Sequence, residues 1–177
     1  MNEINDPKVI FLNKISDERG SFTEIVNEEI QNVIGNQYFT QTNLSSSKIG
    51  TIRGFHWQKG KFAQGKLVTC VQGKVLDVAI NIRKESNDFG RKFSAILDSE
   101  HPSLFWIPIG YAHGFQALED FSKLLYFVTS PFNESSSRSF NPLKDQLNEI
   151  WPIKDAILSE KDSNSLSLSE SLSEDFF

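Results

Sequence analysis

Val75-Leu76-Asp77-Val78-Ala79-Ile80-Asn81-Ile82-Arg83 is the stretch on which the fold turns. Leu76, Val78, Ile80 and Ile82 alternate with Asp77, Ala79, Asn81 and Arg83, so a β-strand here carries an apolar row on one face and a polar row on the other. The polar row belongs either on the solvent surface or on the wet lumen of a barrel. Working outward, the same two-residue period predicts strands over 22–26, 38–43, 51–58, 66–72, 104–107 and 124–130. Between them stand turn formers: Gly20, Gly50, Gly60, Gly65, Gly73, Asn87-Asp88, Pro108-Ile109-Gly110 and Pro131. Helical patterning is confined to 27–32 and a short stretch before Asp162. The expected architecture is all-β, a jelly-roll barrel or sandwich with short flanking helices.

Composition narrows the function. The 177 residues suit one domain, taken as 1–177, with enough chain to bury a sizeable core. With 18 Lys+Arg against 23 Asp+Glu the net charge is −5, which disfavours a nucleic-acid partner. The 15 phenylalanines fit β-rich packing better than a helical bundle. The single cysteine, Cys70, has no internal disulfide partner, and with no basic or apolar run near Met1 a cytoplasmic protein is expected. No segment approaches the roughly 20 apolar residues of a membrane span. Residues 163–177 form a Ser/acid-rich tail whose composition predicts loose order.

Three histidines are available for chemistry, His56, His101 and His113. His56 lies in Arg53-Gly54-Phe55-His56-Trp57-Gln58, where a histidine is either a satisfied structural residue or a reactive one. Arg53, Gln58, Gln64 and Lys66 cluster around it in sequence, a set that suits an anionic, oxygen-rich ligand or, more blandly, a solvated edge strand. His113 closes Pro108-Ile109-Gly110-Tyr111-Ala112-His113, which resembles half of the metal box of cupins. The matching His-x-His with a nearby Glu is missing, so no metal is expected. His101 sits in a turn, and Cys70 has no base beside it and reads as packing. There is no Gly-x-Ser-x-Gly, no phosphate loop and no dinucleotide fingerprint.

From about Asp17 to Asp162 an ordered set of motifs resembles the dTDP-4-dehydrorhamnose 3,5-epimerase family. It comprises Asp17-Glu18-Arg19-Gly20-Ser21-Phe22-Thr23-Glu24, Gln41-Thr42-Asn43-Leu44-Ser45, Arg53-Gly54-Phe55-His56-Trp57-Gln58, Gln64-Gly65-Lys66, Gly110-Tyr111-Ala112-His113-Gly114-Phe115, Leu125-Tyr126, Ile150-Trp151-Pro152 and Leu158-Ser159-Glu160-Lys161-Asp162. The resemblance implies a metal-free, cofactor-free, cupin-type jelly roll, a homodimer, that inverts C3 and C5 of a dTDP-linked 4-keto-6-deoxy sugar to supply deoxysugar for polysaccharide. It implies that His56 is the base, Asp162 the carboxylate orienting it, Tyr126 the acid on the opposite face of the ring and Lys66 the cation at the C4 oxygen. Arg53, His113 and Asp77 match other pocket positions. Arg19, Phe22, Glu24, Gln41 and Asn43 match positions that hold the nucleotide, some across a dimer interface. A C4 ketone acidifies the neighbouring C–H bonds, and inversion needs proton removal on one face and return on the other, which asks for a base, an acid and an oxyanion partner.

Three features depart from the family pattern. Asn81 stands where Asp is usual, on the same predicted face as Asp77, which lowers the expected lumen charge. Phe132 stands where Tyr or Trp is common, altering the stacking expected on the ligand. Strict alternation puts Arg53 and His56 on opposite faces, so both reach one pocket only through a bulge near Gly54. Rival readings are an epimerase acting at one carbon or on another nucleotide 4-keto sugar, a silent sugar-nucleotide-binding cupin, and a metal-dependent cupin enzyme.

Overall fold

The computed structural model describes residues 6–171, and the final residues of the predicted tail, 172–177, lie outside it. The strands are β1 (Lys8–Phe11), β2 (Lys14–Asp17), β3 (Gly20–Thr23), β4 (Gln41–Ser47), β5 (Ile52–Gln58), β6 (Lys66–Gln72), β7 (Lys74–Asn81), β8 (Lys92–Asp98), β9 (Ser103–Ile107), β10 (Tyr111–Ala117), β11 (Ser122–Val128) and β12 (Ser137–Ser139). The short helices are α1 (Glu28–Val33), α2 (Glu160–Asn164) and α3 (Leu168–Ser171). Two five-stranded antiparallel sheets, ordered β1-β9-β6-β11-β4 and β12-β5-β10-β7-β8, form a sandwich, and β2-β3 make a separate hairpin. The jelly-roll expectation holds.

Three apolar layers explain why these strands pack so. Val68, Cys70, Val75, Ala79, Phe105, Phe115 and Leu124, drawn from both sheets, fill the space between them. Ile52, Phe55, Trp57, Val78 and Ile80 point the other way and are covered by Phe140, Leu147 and Trp151 from the returning C-terminal segment. On the outer face of the first sheet, Ile30 and Ile34 of the α1 region pack on Leu67, Leu104 and Trp106. β7 is therefore buried on both faces: its apolar row meets the C-terminal segment and its polar row faces the lumen between the sheets.

Local chemistry sets the element ends. Asn27 caps α1 by accepting from Ile30 N–H at 3.0 Å, and Glu28 and Glu29 sit in the first turn, as the 27–32 pattern predicts. β4 starts at Gln41 and runs on to Ser47, further than 38–43, because its whole length pairs with β11. β8 escapes the sequence reading: its polar residues interrupt an inward row of Phe93, Ala95 and Leu97 that only the pairing with β7 reveals.

The tail reading needs correction through residue 171. Instead of loose chain, Ser159 caps α2, with Asp162 N–H donating to its Oγ at 3.1 Å. Asn141 N–H donates to Leu166 O at 2.7 Å, Asp145 accepts from Ser169 N–H at 2.8 Å, and Leu168 packs against the Trp151 layer. The serines and acids that look solvated by composition serve as caps and clamps on this return path.

Candidate active site

The sandwich encloses a cavity of about 740 Å³, and most of the residues singled out in the sequence line it. β5 and β10 of one sheet present Arg53, His56 and His113; β4, β6 and β11 of the other present Gln41, Asn43, Lys66 and Tyr126. Asp162 enters from α2, and Phe132 from the loop after β11.

Arg53 and His56 reach the same cavity because β5 carries an extra residue. His56 pairs with His113 and Arg53 with Phe115, so three steps along β5 match two along β10. Gly54 sits in this bulge at φ +132°, where a Cβ would stand 2.4 Å from Gly114 Cα and 2.8 Å from His113 O. Only glycine fits.

In the cavity wall His56 Nε2 lies 2.6 Å from Asp162 Oδ1. An ionised carboxylate only accepts, so Nε2 carries the proton and Nδ1 keeps its lone pair. The imidazole is 39% exposed and the carboxylate 5%, which leaves the ring open to a ligand while its partner is sealed away. Burial pushes the Asp162 carboxyl upward, but hydrogen bonds from His56, Ser159 and the Gly54 amide outweigh it and hold it below the usual carboxylate range.

Lys66 lies across from this pair, buried, with Nζ donating to His56 O at 3.1 Å. Burial drives its pKa down to about 8, with the charge of Asp77 working against the fall. Asp77 is fully buried behind His113 and accepts from Nε2 at 2.9 and 3.0 Å. Burial lowers the His113 pKa in spite of that carboxylate, and the charge of Lys66 pushes the same way, so His113 is a neutral ring.

Tyr126 faces the lumen in the phase of Leu124 and Val128. Its hydroxyl has no hydrogen-bond partner among the described residues, unlike a core tyrosine tied to backbone. Burial raises its pKa and the Arg53 guanidinium opposes the rise, which keeps the phenol protonated. Arg53 is held along β4, donating from Nε to Ser47 Oγ at 3.1 Å and from Nη2 to Ser46 O at 3.2 Å. Gln41 donates to Asn43 Oδ1 at 2.7 Å and accepts from Phe132 N–H at 3.0 Å.

Other sequence candidates fall elsewhere. Arg19, Phe22 and Glu24 lie on and just after the β2-β3 hairpin, and none lines the cavity of its own chain. Arg19 pairs with Asp17, Phe22 is 62% exposed, and Glu24 accepts from Asn27 Nδ2 at 3.1 Å. Gln58 and Gln64 border the cavity, but their amides serve the backbone. Gln58 binds Phe62 O, Pro131 O and Asn133 N–H, and Gln64 binds Ser130 O, so together they shape the loop bearing Phe132. Asn81 does not line the cavity; its Oδ1 accepts from Arg83 N–H and Nε–H at 3.0 and 3.1 Å, making the Asp-to-Asn departure a turn feature. His101 is exposed, and burial raises the Cys70 thiol to about 11, consistent with packing.

The sequence reading missed Ser45 and Ser47, which extend the cavity-facing row of Gln41 and Asn43 along β4, and the rim lysines Lys48 and Lys161. The two-residue period of β4 carried the signal for the serines. Among the described residues no three His, Cys, Asp or Glu side chains converge as a metal site would require, and no helix is long and apolar enough to cross a membrane.

Residues 1–170 match the family model for dTDP-4-dehydrorhamnose 3,5-epimerase. A protein of that name from Salmonella typhimurium is 40% identical over 172 residues, 96% of this chain and 91% of its own. One from Shigella flexneri is 39% identical over 163 residues, 91% of this chain and 87% of its own. The crystal structure of a dTDP-6-deoxy-D-glucose-3,5-epimerase from Legionella pneumophila in complex with dTDP-4-keto-L-rhamnose superposes with a TM-score of 0.87 at 36% identity, covering 95% of this chain and 90% of the other.

Proposed function

The chain belongs to the dTDP-4-dehydrorhamnose 3,5-epimerase family, and from that premise we propose how its own residues carry out the reaction. It is an isomerase that converts dTDP-4-dehydro-6-deoxy-D-glucose to dTDP-4-dehydro-L-rhamnose. In the proposed mechanism His56, oriented by Asp162, takes the proton from the carbon beside the C4 ketone. The C–H electron pair moves into the ring and onto the C4 oxygen, and the Lys66 ammonium, in a site shielded from water, stabilises that charge. Tyr126 then gives its proton to the opposite face of the same carbon, and the electron pair returns from oxygen to form the new C–H bond. The phenol and the imidazole reset through solvent. Repeated at the second position, the cycle inverts C3 and C5 with no redox change and no cofactor.

The observation that carries this reading is the 2.6 Å His56–Asp162 pair on one sheet's side of the cavity, with Tyr126 standing on the other sheet. A base and an acid on opposite walls suit proton removal and return on opposite faces of a flat enolate. Neutral His113 spends its one N–H on Asp77 and holds that buried carboxylate in place behind the site, and Arg53 suits the diphosphate. Gln41, Asn43 and Phe132 form the end of the cavity proposed for the nucleotide. Arg19, Phe22 and Glu24 act in this reading from a second copy, the β2-β3 hairpin of one subunit completing the nucleotide site of its homodimer partner. The proposed place of action is the cytoplasm, in supply of deoxysugar for cell-surface polysaccharide.

The test is incubation with dTDP-4-dehydro-6-deoxyglucose in deuterated water, following C3 and C5 by NMR. Wild-type protein should place deuterium at both carbons and form the rhamnose isomer. His56→Ala should lose the exchange while binding dTDP within a few-fold; full exchange in that variant sinks the assignment.

A further inference from the structure

His56 and Asp162 are 106 residues apart in sequence, so their contact depends on whatever sets β5 and α2 in register. The end of β12 touches both. On one side it extends the second sheet, pairing Ser139 with His56 and Arg138 with Trp57. The ladder continues through reciprocal N–H to O=C bonds between Phe55 and Phe140, each 3.2 Å. On the other side the same few residues grip the end of α2 and the chain leaving it. Ser139 Oγ meets Ser165 Oγ at 2.8 Å. Asn141, 6% exposed, donates from its backbone N–H to Leu166 O at 2.7 Å and from Nδ2 to Ser163 O at 2.8 Å, and its Oδ1 accepts from Leu143 N–H at 2.8 Å.

α2 has five residues, too few to hold a helical direction without outside support. Its first turn is tied by the Ser159 cap and its last residues by Asn141 and Ser139. We infer that Asn141, with Ser139 beside it, is a positioning residue for the epimerisation: it clamps the end of α2 to the end of β12, which pairs with β5 at His56, and so sets the Asp162 carboxylate against the imidazole. Neither Asn141 nor Ser139 lines the cavity, so the clamp acts through Asp162 and not on substrate. The inference rests on the His56–Asp162 reading given above. A movement of about 1 Å at Asp162 is enough to lose a hydrogen bond of this kind and much of the rate that depends on it.

Asn141→Asp provides the sharpest test. It keeps the size of the side chain and an oxygen for Leu143 N–H, but turns an oxygen instead of a donor toward Ser163 O. The expected result is a fall in kcat of about tenfold to a hundredfold with KM within about threefold, the pattern of a misplaced catalytic group. In an Asp162→Asn background the same change should cost less than about twofold, because the carboxylate it positions is already gone. Ser139→Ala removes one bond of the clamp with little risk to folding. It should show a smaller loss of kcat that vanishes in the same background. Wild-type kcat in both folded single variants, or an undiminished loss in the Asp162→Asn background, overturns the inference. Wild-type turnover by Asp162→Asn alone overturns the underlying dyad reading, and the inference falls with it.

Discussion

Replacing Lys66 by methionine should raise the stability of the protein at pH 7 while removing most of its activity. The ammonium is buried beneath the cavity, and burial brings its pKa from 10.5 to about 8 even with Asp77 nearby. At about 1.4 kcal/mol for each pH unit, that fall means that keeping the group charged costs the folded state about 3 kcal/mol. Methionine fills nearly the same volume without the charge, but it leaves His56 O without its 3.1 Å donor. An unmade hydrogen bond at a buried carbonyl costs about 1–2 kcal/mol, so a net gain of about 1–2 kcal/mol remains. The pH dependence has a definite sign. The folded-state pKa lies below the unfolded value, so between pH 8 and 10.5 the unfolded chain binds the extra proton and wild-type stability climbs with pH. The advantage of Lys66→Met should therefore be full below pH 8, shrink above it and reverse before 10.5, where only the cost of the lost hydrogen bond to His56 O remains. Urea unfolding of both proteins at a series of pH values measures this directly. Solvent deuterium exchange into the sugar should fall on the order of 10²–10³-fold in the variant, as expected for loss of an oxyanion partner. A variant clearly less stable than wild type at pH 7 would refute the reasoning, since it would mean that the fold gains from the charged lysine.

Three further outcomes are expected. Tyr126→Phe should still exchange ring hydrogens with solvent, because the base and Lys66 remain, yet return deuterium with retained configuration; epimerisation at the wild-type rate would remove Tyr126 from the acid role. Gly54→Ala, whose Cβ would stand 2.4 Å from Gly114 Cα, should lose about 3 kcal/mol or more of stability, read as a drop in thermal midpoint, and an unchanged midpoint would contradict the bulge geometry. Activity should survive exhaustive chelation, with elemental analysis finding no stoichiometric metal; loss restored by one divalent ion would favour the metal-cupin reading.

Several features were legible in the sequence because they are local. The alternation through β7, the turn glycines and prolines, and the Asn27 cap each depend on residues within a few positions of one another, so their geometry follows from the backbone period. The motif set carried the family resemblance and the site residues that come with it, and His56, Lys66, Tyr126, His113 and Asp162 do meet around one cavity. What the tertiary structure decided was which polar groups remain free for a ligand. Gln58, Gln64 and Asn81 have the same chemistry as Asn43, and only chain packing shows that these three are spent on backbone and turn partners. The polar row of β7 faces the lumen because a C-terminal segment, remote in sequence, covers the other face. Composition alone placed the region after Asp162 in a loose tail, whereas Asn141 and Asp145 order it through residue 171. Sequence period fixes the direction of a side chain relative to its own strand, but hydrogen-bond partners and burial depend on segments that return from a hundred residues away, and those exist only once the chain has folded.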